Sequence, residues 1–531
     1  MAREATRIVD ATAWLRAEVP LHVGGAAGNA ETDLALAVDG YGRTYVPGTS
    51  LAGALRTWWL RSFGETSTRE VWGWVPSRRG PMEVTTAEAT RHGAARLLVH
   101  DAVISTQPQQ AAPAPETAAL PVEVRSGVGI ERWSGAAASG FLYTRAVVPC
   151  GCWLRLGLRL EASCDEQLGR LAAMLVSLST RGLRVGAGRT RGLGRMRLHE
   201  DRDFSWQEQD LTSPDRFLDF LLEPTSASWD DVAGRAVQPT ADQRVSITVR
   251  WRPDGPLLVR SGAEGLGVDS VPLVSQLGDK VHLVVPGSAI KGALRSRAEM
   301  ILRTVAGRSA LRDPDERERL GGRTGSTAFL NELAGSDLAV WLFGAAAVHE
   351  HGRRPVGLEP GLGALAVDDC FATAGVDATL WASVYRDAAK DSMGRLRHAE
   401  NFNQAGLYET MHVAVDRWTG GAVASRLFSV LEPHATAYEP IRMDLDLGRL
   451  KDENDRDSAV ALVLLTLRDL RAGRFGLGFG THRGLGAVIV DSIEIEGYAQ
   501  LGRTAVEDLP PAVVRTLQEA WTRYLRRAGA A

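Results

Sequence analysis

The chain has 531 residues, of which 44% are hydrophobic and 24% are charged, and its formal net charge is −3 at pH 7. This composition is ordinary for a globular protein, and no apolar run reaches the ~18–20 residues of a membrane span, which excludes a membrane protein. Four cysteines without a C-x-x-C pair exclude a disulfide framework and argue against a zinc site.

The length also predicts at least two domains, because single hydrophobic cores stop growing at about 250–300 residues. The first twenty residues carry charges throughout and no apolar segment of the kind found in secretory signals. We therefore expect a cytoplasmic protein with no membrane association. Its charge is not globally basic, so any contact with nucleic acid has to come from local groups.

Strands and helices alternate in the first two hundred residues, and a turn signal V-P-G-T-S precedes the first helix. In chain order the predicted elements are a strand at 17–25, a helix at 50–63, a strand near 97–102, a segment with R-W-S-G at 132–135, a strand at 152–162, a helix at 166–180 and the glycine-rich run VGAGRTRGLG at 185–194, which leads into a final strand.

The glycine-rich run does not fit the common nucleotide-binding motifs. The dinucleotide motif G-x-G-x-x-G needs glycine five residues after Gly186, where the sequence has Arg191, and the P-loop sequence G-K-[ST] is absent. A single run of this kind is equally well explained as a glycine-rich hairpin between strands.

The same blocks recur later in the chain, in the same order, which indicates an internal duplication. The pairs are VPGTSLAGALR (46–56) with VPGSAIKGALR (285–295), IERWSGAAASGFLY (130–143) with VDRWTGGAVASRLF (415–428), GAGRTRGLG (186–194) with GFGTHRGLG (478–486) and, more weakly, ARLLVHDA (95–102) with GALAVDDC (363–370). The offsets grow from 239 to 292 along the chain, as expected if loops of the second copy gained insertions.

The duplication predicts an α+β fold in which each copy is a split βαβ unit of ferredoxin-like type. The predicted bounds are a first domain at 1–200, a linker at 201–242, a second domain at 243–498 with insertions at 303–362 and 376–410, and a C-terminal helical segment at 499–531.

With these blocks in order, the chain resembles the RAMP superfamily of CRISPR-associated proteins, and within it the backbone subunits of type III effector complexes. The matching motifs are LHVGG (21–25), VPGTSLAGALR, IERWSGAAA and the glycine-rich run, with LLVRSG (257–262) and the second set of blocks in the other copy. The resemblance implies two tandem ferredoxin-like (RRM-like) RAMP domains with loop insertions. It implies crRNA, complementary target RNA and other type III CRISPR effector subunits as partners.

The resemblance, together with residue chemistry, gives a set of candidate RNA-binding residues. V-P-G-[ST] places amides and a hydroxyl at a helix N-terminus, where anions bind, and arginines one turn later add charge-assisted hydrogen bonds. Capping and turn formation explain the same serines and glycines equally simply. The candidates are His22, Gly48, Thr49, Ser50, Arg56, Arg132, Gly188, Arg191, Gly192, Arg260, Gly287, Ser288, Lys291, Arg295, Arg417, Gly480, Arg483 and Gly484.

Trp133 and Trp418 occupy equivalent places in the twin R-W-[ST]-G segments. They either stack on bases or fill a core layer in each copy. In the glycine-rich runs, we expect the missing side chains to let an RNA backbone approach while Arg191 and Arg483 contact phosphates.

The family's target-cleaving subunits need an aspartate in the loop after the first strand, and the resemblance assigns that catalytic role to Asp33, Asp269 or both. Asp33 lies 14 residues before Pro47 and Asp269 lies 17 before Pro286. The sequence VDSVPLV around Asp269 matches the family pattern more closely than TDLALAV around Asp33.

The resemblance therefore implies an endoribonuclease that uses Mg²⁺ or another divalent cation, with metal ligands that the sequence leaves unassigned. Two alternatives stay open. One is a purely structural subunit that binds RNA without cutting it. The other is a metal-independent endoribonuclease that processes precursor crRNA, for which the sequence offers no evident constellation of His, Tyr and Lys.

Overall fold

The structure is a computed structural model. It describes residues 5–25, 32–73, 93–108, 120–132, 135–213, 225–240, 243–263, 265–307, 329, 333, 336–345, 361–386, 396–434, 436–450 and 452–529.

The strands in the described ranges are β1 (Arg7–Ala17), β2 (Tyr45–Val46), β3 (Leu97–Val99), β4 (Ala102–Ser105), β5 (Glu123–Ile130), β6 (Ala137–Val147), β7 (Trp153–Ala162), β8 (Leu183–Arg184), β9 (Arg191–Gly192), β10 (Arg195–His199), β11 (Ser205–Asp210), β12 (Thr225–Ser226), β13 (Arg244–Pro253), β14 (Val274–Leu277), β15 (Lys280–Val285), β16 (Gly344–Ala345), β17 (Gly361–Leu362), β18 (Leu365–Asp368), β19 (Cys370–Asp377), β20 (Leu407–Val415), β21 (Ala422–Pro433), β22 (Ile441–Asp446), β23 (Val488–Glu496) and β24 (Thr504–Ala505).

The helices are α1 (Gly48–Trp72), α2 (Asp165–Thr180), α3 (Trp229–Gly234), α4 (Gly287–Val305), α5 (Asp337–Phe343), α6 (Ala378–Arg386), α7 (Ala399–Gln404), α8 (Glu453–Arg471) and α9 (Pro511–Gly529), with 3₁₀ turns at Leu447–Arg449, Thr481–Arg483, Tyr498–Gln500 and Val506–Asp508. None of the described helices is long and apolar enough to cross a membrane.

The chain forms two compact units, and each combines segments that are separate in sequence. Unit 1 contains residues 1–122, 146–189 and 193–242, and unit 2 contains residues 123–145, 190–192 and 243–531. The hairpin of β5 and β6 and the short strand β9, which come from the first sequence copy, thus belong mainly to unit 2.

Unit 1 has the strand order of a ferredoxin-like fold. Strand β1 lies between β10 and β7 and pairs antiparallel with both, and β3 and β4 pair with the far side of β7. Helix α1 follows β1 and helix α2 follows β7. Inward-facing residues of β7 alternate along the strand, and they pack in a core with Leu15, Trp59 and Met174.

Unit 2 repeats this arrangement with its own elements. Strand β13 lies between β23 and β22, and β18 pairs with the far side of β22, all antiparallel. Helices α4 and α8 take the places of α1 and α2, and Leu294 and Leu462 from them enter one core with the sheet. Asp452 caps α8 by accepting a hydrogen bond from the Asn454 amide, and acidic residues occupy its first turn. The predicted tandem ferredoxin-like fold is confirmed.

The first strand differs from its prediction. The sequence predicts a strand at 17–25, but β1 ends at Ala17, and beyond it only single bridges form at Leu21 and Gly24. Pro20 has no amide to donate, and glycines weaken a strand, so RIVDATAWLRA upstream takes the central place in the sheet.

The predicted domain bounds stay a prediction, but two observations bear on the segments they name. Strand β11 lies within the predicted linker at 201–242 and pairs with β1 over six residues. The C-terminal segment at 499–531 contains helix α9, as its sequence pattern predicts.

Candidate nucleic-acid interface

The two glycine-rich runs form the same loop in the two units. In unit 1 the Val185 amide donates to Gly194 O, and in unit 2 the Leu477 amide donates to Gly486 O. All four glycines of each run have positive φ. A Cβ at Gly194 would overlap Val185 O, so the chain's own backbone already requires glycine there. The expected close approach of RNA is therefore not needed to explain that position.

Backbone hydrogen bonds also align the loops that precede the first helix of each copy. The Gly25 amide donates to Ala35 O in unit 1, and the Ser261 amide donates to Val271 O in unit 2, at an offset of 236. The same offset relates Asp33 to Asp269. It also relates His22 to Leu258 and Gly24 to Arg260, so Arg260 is not the counterpart of the histidine.

Asp269 lies beside strand β21 in unit 2. Its Oδ2 accepts hydrogen bonds from the Ser429 amide at 2.7 Å and from Ser429 Oγ at 3.1 Å, and its own amide donates to Ser429 Oγ at 3.1 Å. Ser429 is buried, whereas Asp269 is exposed. The carboxylate is thus held in a fixed orientation at the surface.

Asp33 is also exposed, in the equivalent loop of unit 1. Within the described ranges, no group of three or more His, Cys, Asp or Glu side chains is arranged to hold a metal ion. Among those described residues, neither aspartate belongs to such a group.

The helix N-termini of both V-P-G-[ST] motifs are already occupied by aspartates. Asp101 Oδ1 accepts from the Gly48 amide at 2.6 Å, and Asp369 Oδ1 accepts from the Gly287 amide at 2.8 Å. The two aspartates are paired in the weakest of the sequence repeats. Since a carboxylate takes the place of the expected phosphate, the Gly48 and Gly287 amides are not open to RNA in this structure.

Asp369 differs from Asp101 in burial. Asp101 is exposed, whereas the Asp369 side chain is 1% exposed and lies 3.4 Å from Arg125, which also contacts Glu123. Burial raises the pKa of Asp369 to about 7, although Arg125 and the Gly287 amide act in the opposite direction.

Several cations predicted to bind RNA are used inside the protein instead. Arg132 and Arg295 share Glu299 at 2.8 and 2.6 Å, and Arg295 also donates to Gly344 O. Lys291 is buried and donates to Leu365 O at 2.6 Å. These side chains satisfy buried acceptors, which would be costly to leave unpaired, so their positions do not support RNA contact.

His22 is likewise buried. Its Nδ1 lies 2.6 Å from Ala146 O, and its own carbonyl accepts from the Ala187 amide of the glycine-rich run. The histidine therefore joins three segments of unit 1 rather than facing solvent.

Another part of the predicted set is exposed and comes together in unit 2. The Arg260 and Arg483 guanidiniums lie 5.5 and 5.8 Å from the centre of the Phe479 ring. Gly480 and Gly484 flank Arg483 with φ of 72° and 85°. Phe479 was not predicted; its position inside a glycine-rich run beside two arginines is the signal that could have identified it.

The second copy's R-W-T-G segment forms a hairpin tip. Arg417 and Trp418 are exposed between β20 and β21, with Trp418 95% exposed, and Asp416 Oδ1 accepts from the Trp418 amide. Trp418 therefore does not fill a core layer. Trp133 lies outside the described residues.

The remaining predicted residues differ in their exposure to solvent. Thr49, Ser288 and Arg191 are exposed, and Gly192 is buried beside Asp369. Half-buried are Ser50, Arg56 and Gly188.

A histidine pair near Asp269 was missed by the sequence reasoning. His412 Nε2 lies 2.9 Å and His434 Nε2 lies 3.5 Å from different oxygens of the buried Glu432. Glu432 follows Ser429 by three residues on β21. Glu432 and His434 are two residues apart at the end of β21, but the contact with His412 depends on the register of the hairpin.

Comparison with known proteins agrees with the duplicated fold. No curated protein matches the chain. The family model for the RAMP superfamily matches residues 14–197 and 254–489, one region in each sequence copy and together more than half of the chain. The chain therefore belongs to the RAMP superfamily of CRISPR-associated, RNA-binding proteins.

Proposed function

We propose that the protein is a backbone subunit of a type III CRISPR effector complex that binds crRNA and cleaves complementary target RNA with Asp33 and Asp269. The observation that carries this proposal is the repetition of one site. Two exposed aspartates occupy the same position in two copies of one loop, and each loop accepts a hydrogen bond from its glycine-rich run, at His22 O or Leu258 O.

The exposed arginines are the proposed contacts with the RNA backbone. Arg191, Arg260, Arg417 and Arg483 all lie at the surface, in loops, in a short strand or at a hairpin tip. Guanidinium groups bind phosphates without reading base sequence, and guide pairing supplies sequence recognition in such systems. We leave His22, Arg132, Lys291 and Arg295 out of this contact set.

For cleavage, the carboxylate would align a ribose 2′-hydroxyl or accept its proton. The 2′-oxygen then attacks the adjacent phosphorus, the bond from phosphorus to the 5′-oxygen breaks, the 5′-oxygen takes a proton from water to leave as a hydroxyl, and a 2′,3′-cyclic phosphate forms. Ser429 supports this role because it fixes one oxygen of Asp269 and leaves the carboxylate at the surface. When bound with RNA phosphates, Mg²⁺ would neutralise charge on the scissile phosphate.

The hairpins support further subunits as partners. The first copy's hairpin, residues 123–145, belongs to unit 2, where Arg132 contacts Glu299 of α4. The second copy's hairpin has the same tip hydrogen bonds, at Asp416 and Gly421 as at Glu131 and Ala136. We propose that its exposed tip meets an adjoining subunit or its RNA.

The experiment that tests the proposal uses the full chain in complex with crRNA and end-labelled complementary RNA in Mg²⁺. We compare the wild type with Asp33→Ala, Asp269→Ala and the double variant at single-nucleotide resolution. Each single variant should remove its own cut and leave the other. Asp39→Ala and Asp279→Ala are matched controls, because each removes the same charge from the segment between the first strand and the first helix of its copy.

Two outcomes would contradict the proposal. If the wild type binds target RNA and leaves it intact, the protein is an RNA-binding subunit without nuclease activity. If cutting persists in EDTA and is lost in His412→Ala, the metal-independent ribonuclease is favoured instead, with the imidazoles held by Glu432 performing proton transfer.

A further inference from the structure

An arginine in strand β6 of unit 2 is buried, and the part of the chain that the structure describes gives it no carboxylate partner. Arg145 is 8% exposed, and within the described residues its Nε has no hydrogen-bond partner. Its guanidinium lies 5.6 Å from the centre of the Tyr143 ring. A buried cation is costly unless it is paired, so the position calls for an anion.

A second arginine lies beside it. Arg191 is exposed, and its Nη1 donates to the Tyr143 hydroxyl at 3.3 Å, so one tyrosine side chain contacts both guanidiniums. Burial and the charge of Arg191 both lower the pKa of Arg145. Two guanidinium groups held next to the same tyrosine repel each other, and an anion bound between them would offset this repulsion.

The second sequence copy indicates that the fold itself does not need this arginine. The Ala146 amide donates to Leu34 O in unit 1, and the Leu431 amide donates to Ser270 O in unit 2, which aligns the two strands at an offset of 285. At that offset Arg145 corresponds to Val430, which is fully buried. An apolar residue therefore fills this strand position in one copy, and a cation replaces it in the other.

Glycine makes room for the tyrosine at the same place. A Cβ at Gly127 of β5 would lie 2.6 Å from the Tyr143 hydroxyl oxygen, so the ring can occupy its position only over a glycine. The corresponding pair in the second copy is His412 stacked on Phe428, with ring centres 5.4 Å apart. The first copy thus combines a hydroxyl with an added cation.

We propose that Arg145, Arg191 and the Tyr143 hydroxyl form a binding site for one phosphodiester of single-stranded RNA. The inference rests on the proposed function, because RNA is the phosphate source that the family supplies. Arg145 and Tyr143 are added to the proposed RNA-binding residues. Arg191, which the sequence predicts as a separate phosphate contact, here shares one phosphate with Arg145.

The test measures binding of a fluorescently labelled single-stranded RNA to the full chain by anisotropy over a series of KCl concentrations. For single strands, the slope of log K against log salt changes by roughly 0.7 for each phosphate contact. Arg145→Val should weaken binding and reduce the slope by about that amount. Arg145→Lys should keep the slope and recover part of the affinity, and Tyr143→Phe should weaken binding less than Arg145→Val.

Arg252→Gln is the matched control, since it removes one positive charge from an exposed position on β13 of the same unit. It should leave the slope unchanged. An unchanged thermal unfolding midpoint of Arg145→Val would show that this variant folds, as expected from the valine at the equivalent position 430. If Arg145→Val does not fold, the RNA affinities of Arg145→Lys and Tyr143→Phe test the site.

Equal affinity and slope for wild type, Arg145→Val and Tyr143→Phe would overturn the site while leaving the proposed function intact. A wild type that binds no RNA would overturn both. If Arg145→Val loses only the thermal stabilisation given by inorganic phosphate and keeps its RNA affinity, the site binds a free anion, and the assignment to RNA is wrong.

Discussion

Asp101 and Asp369 make the same hydrogen bond in two different surroundings. Each caps a helix through a glycine amide, but Asp101 is exposed and Asp369 is buried beside Arg125. Burial raises the pKa of the Asp369 carboxyl to about 7. The duplicated cap therefore makes the stability of unit 2 depend on pH.

The raised pKa gives a direction for that dependence. Between the ordinary value of 3.8 and about 7, the folded state holds a proton that the unfolded state has lost, so stability falls as pH rises through this window. The shift corresponds to at most about 4 kcal/mol. Asp369→Asn should flatten the curve of unfolding free energy against pH, measured by urea denaturation at several pH values.

Asp101→Asn is the matched variant, because it changes the equivalent cap where the carboxylate is hydrated. It should leave the pH dependence as in the wild type. Should both variants flatten the curve equally, or neither, burial of Asp369 would not be the cause.

For single residues, local spacing in the sequence indicates some ion pairs, but it does not identify partners that are distant along the chain. Arg295 and Glu299 stand four residues apart on a helix, a spacing that already indicates an ion pair, and the structure has that pair. The third member, Arg132, lies 167 residues away, so no local pattern could reveal it. Lys291 is similar, because its partner is a backbone carbonyl of another element.

Among the elements, the glycine-rich runs are recognisable from the sequence, but the sequence does not show why glycine is needed at each position. Periodicity predicts the helices and most strands, because burial repeats every two or 3.6 residues. Periodicity does not reveal which backbone carbonyls from distant parts of the chain lie against the residues of a loop. In both runs the first and last glycines are needed because carbonyl oxygens lie against them.

Two glycines of the second run allow this explanation to be tested. Gly484 and Gly486 both have positive φ, but a Cβ at Gly486 would overlap Leu477 O, whereas at Gly484 it would meet no described atom within 4 Å. Gly484→Ala should cost about 1–2 kcal/mol from the backbone conformation alone. Gly486→Ala should cost clearly more, measured by urea unfolding of the full chain.

The comparison is informative because both substitutions add the same methyl group to the same loop. Equal losses would mean that backbone conformation alone fixes both glycines. A larger loss for Gly484→Ala would contradict the overlap with Leu477.

For the whole molecule, the sequence copies and the compact units do not coincide. The duplication is visible in sequence because matching blocks keep their order. The assignment of residues 123–145 and 190–192 to unit 2 depends on long-range pairing, such as β9 with β18, which the sequence does not encode locally.

A fragment that contains only residues 243–531 should therefore be less stable than unit 2 in the full chain. It lacks β9, which pairs with β18, and Arg132, which contacts Glu299. Leaving a buried charge unpaired costs about 3–5 kcal/mol, and the loss of Arg132 should cost less than that, because Arg295 still pairs with Glu299. Thermal unfolding should give a lower midpoint for the fragment.

Supplying residues 1–242 as a second chain should raise that midpoint again, because it restores the hairpin and β9. A fragment with the same midpoint as the full chain would contradict the contribution of these segments to unit 2.

The pairing of β9 with β18 also has a consequence for synthesis. The ribosome makes Gly192 well before Asp368, its partner in the parallel register, which lies 176 positions further along the chain. At about 5–20 residues per second, the interval is roughly 10–35 s. A nascent chain must keep the first glycine-rich run accessible for that time, so slower translation of the segment between them lengthens the period in which unit 2's sheet is incomplete.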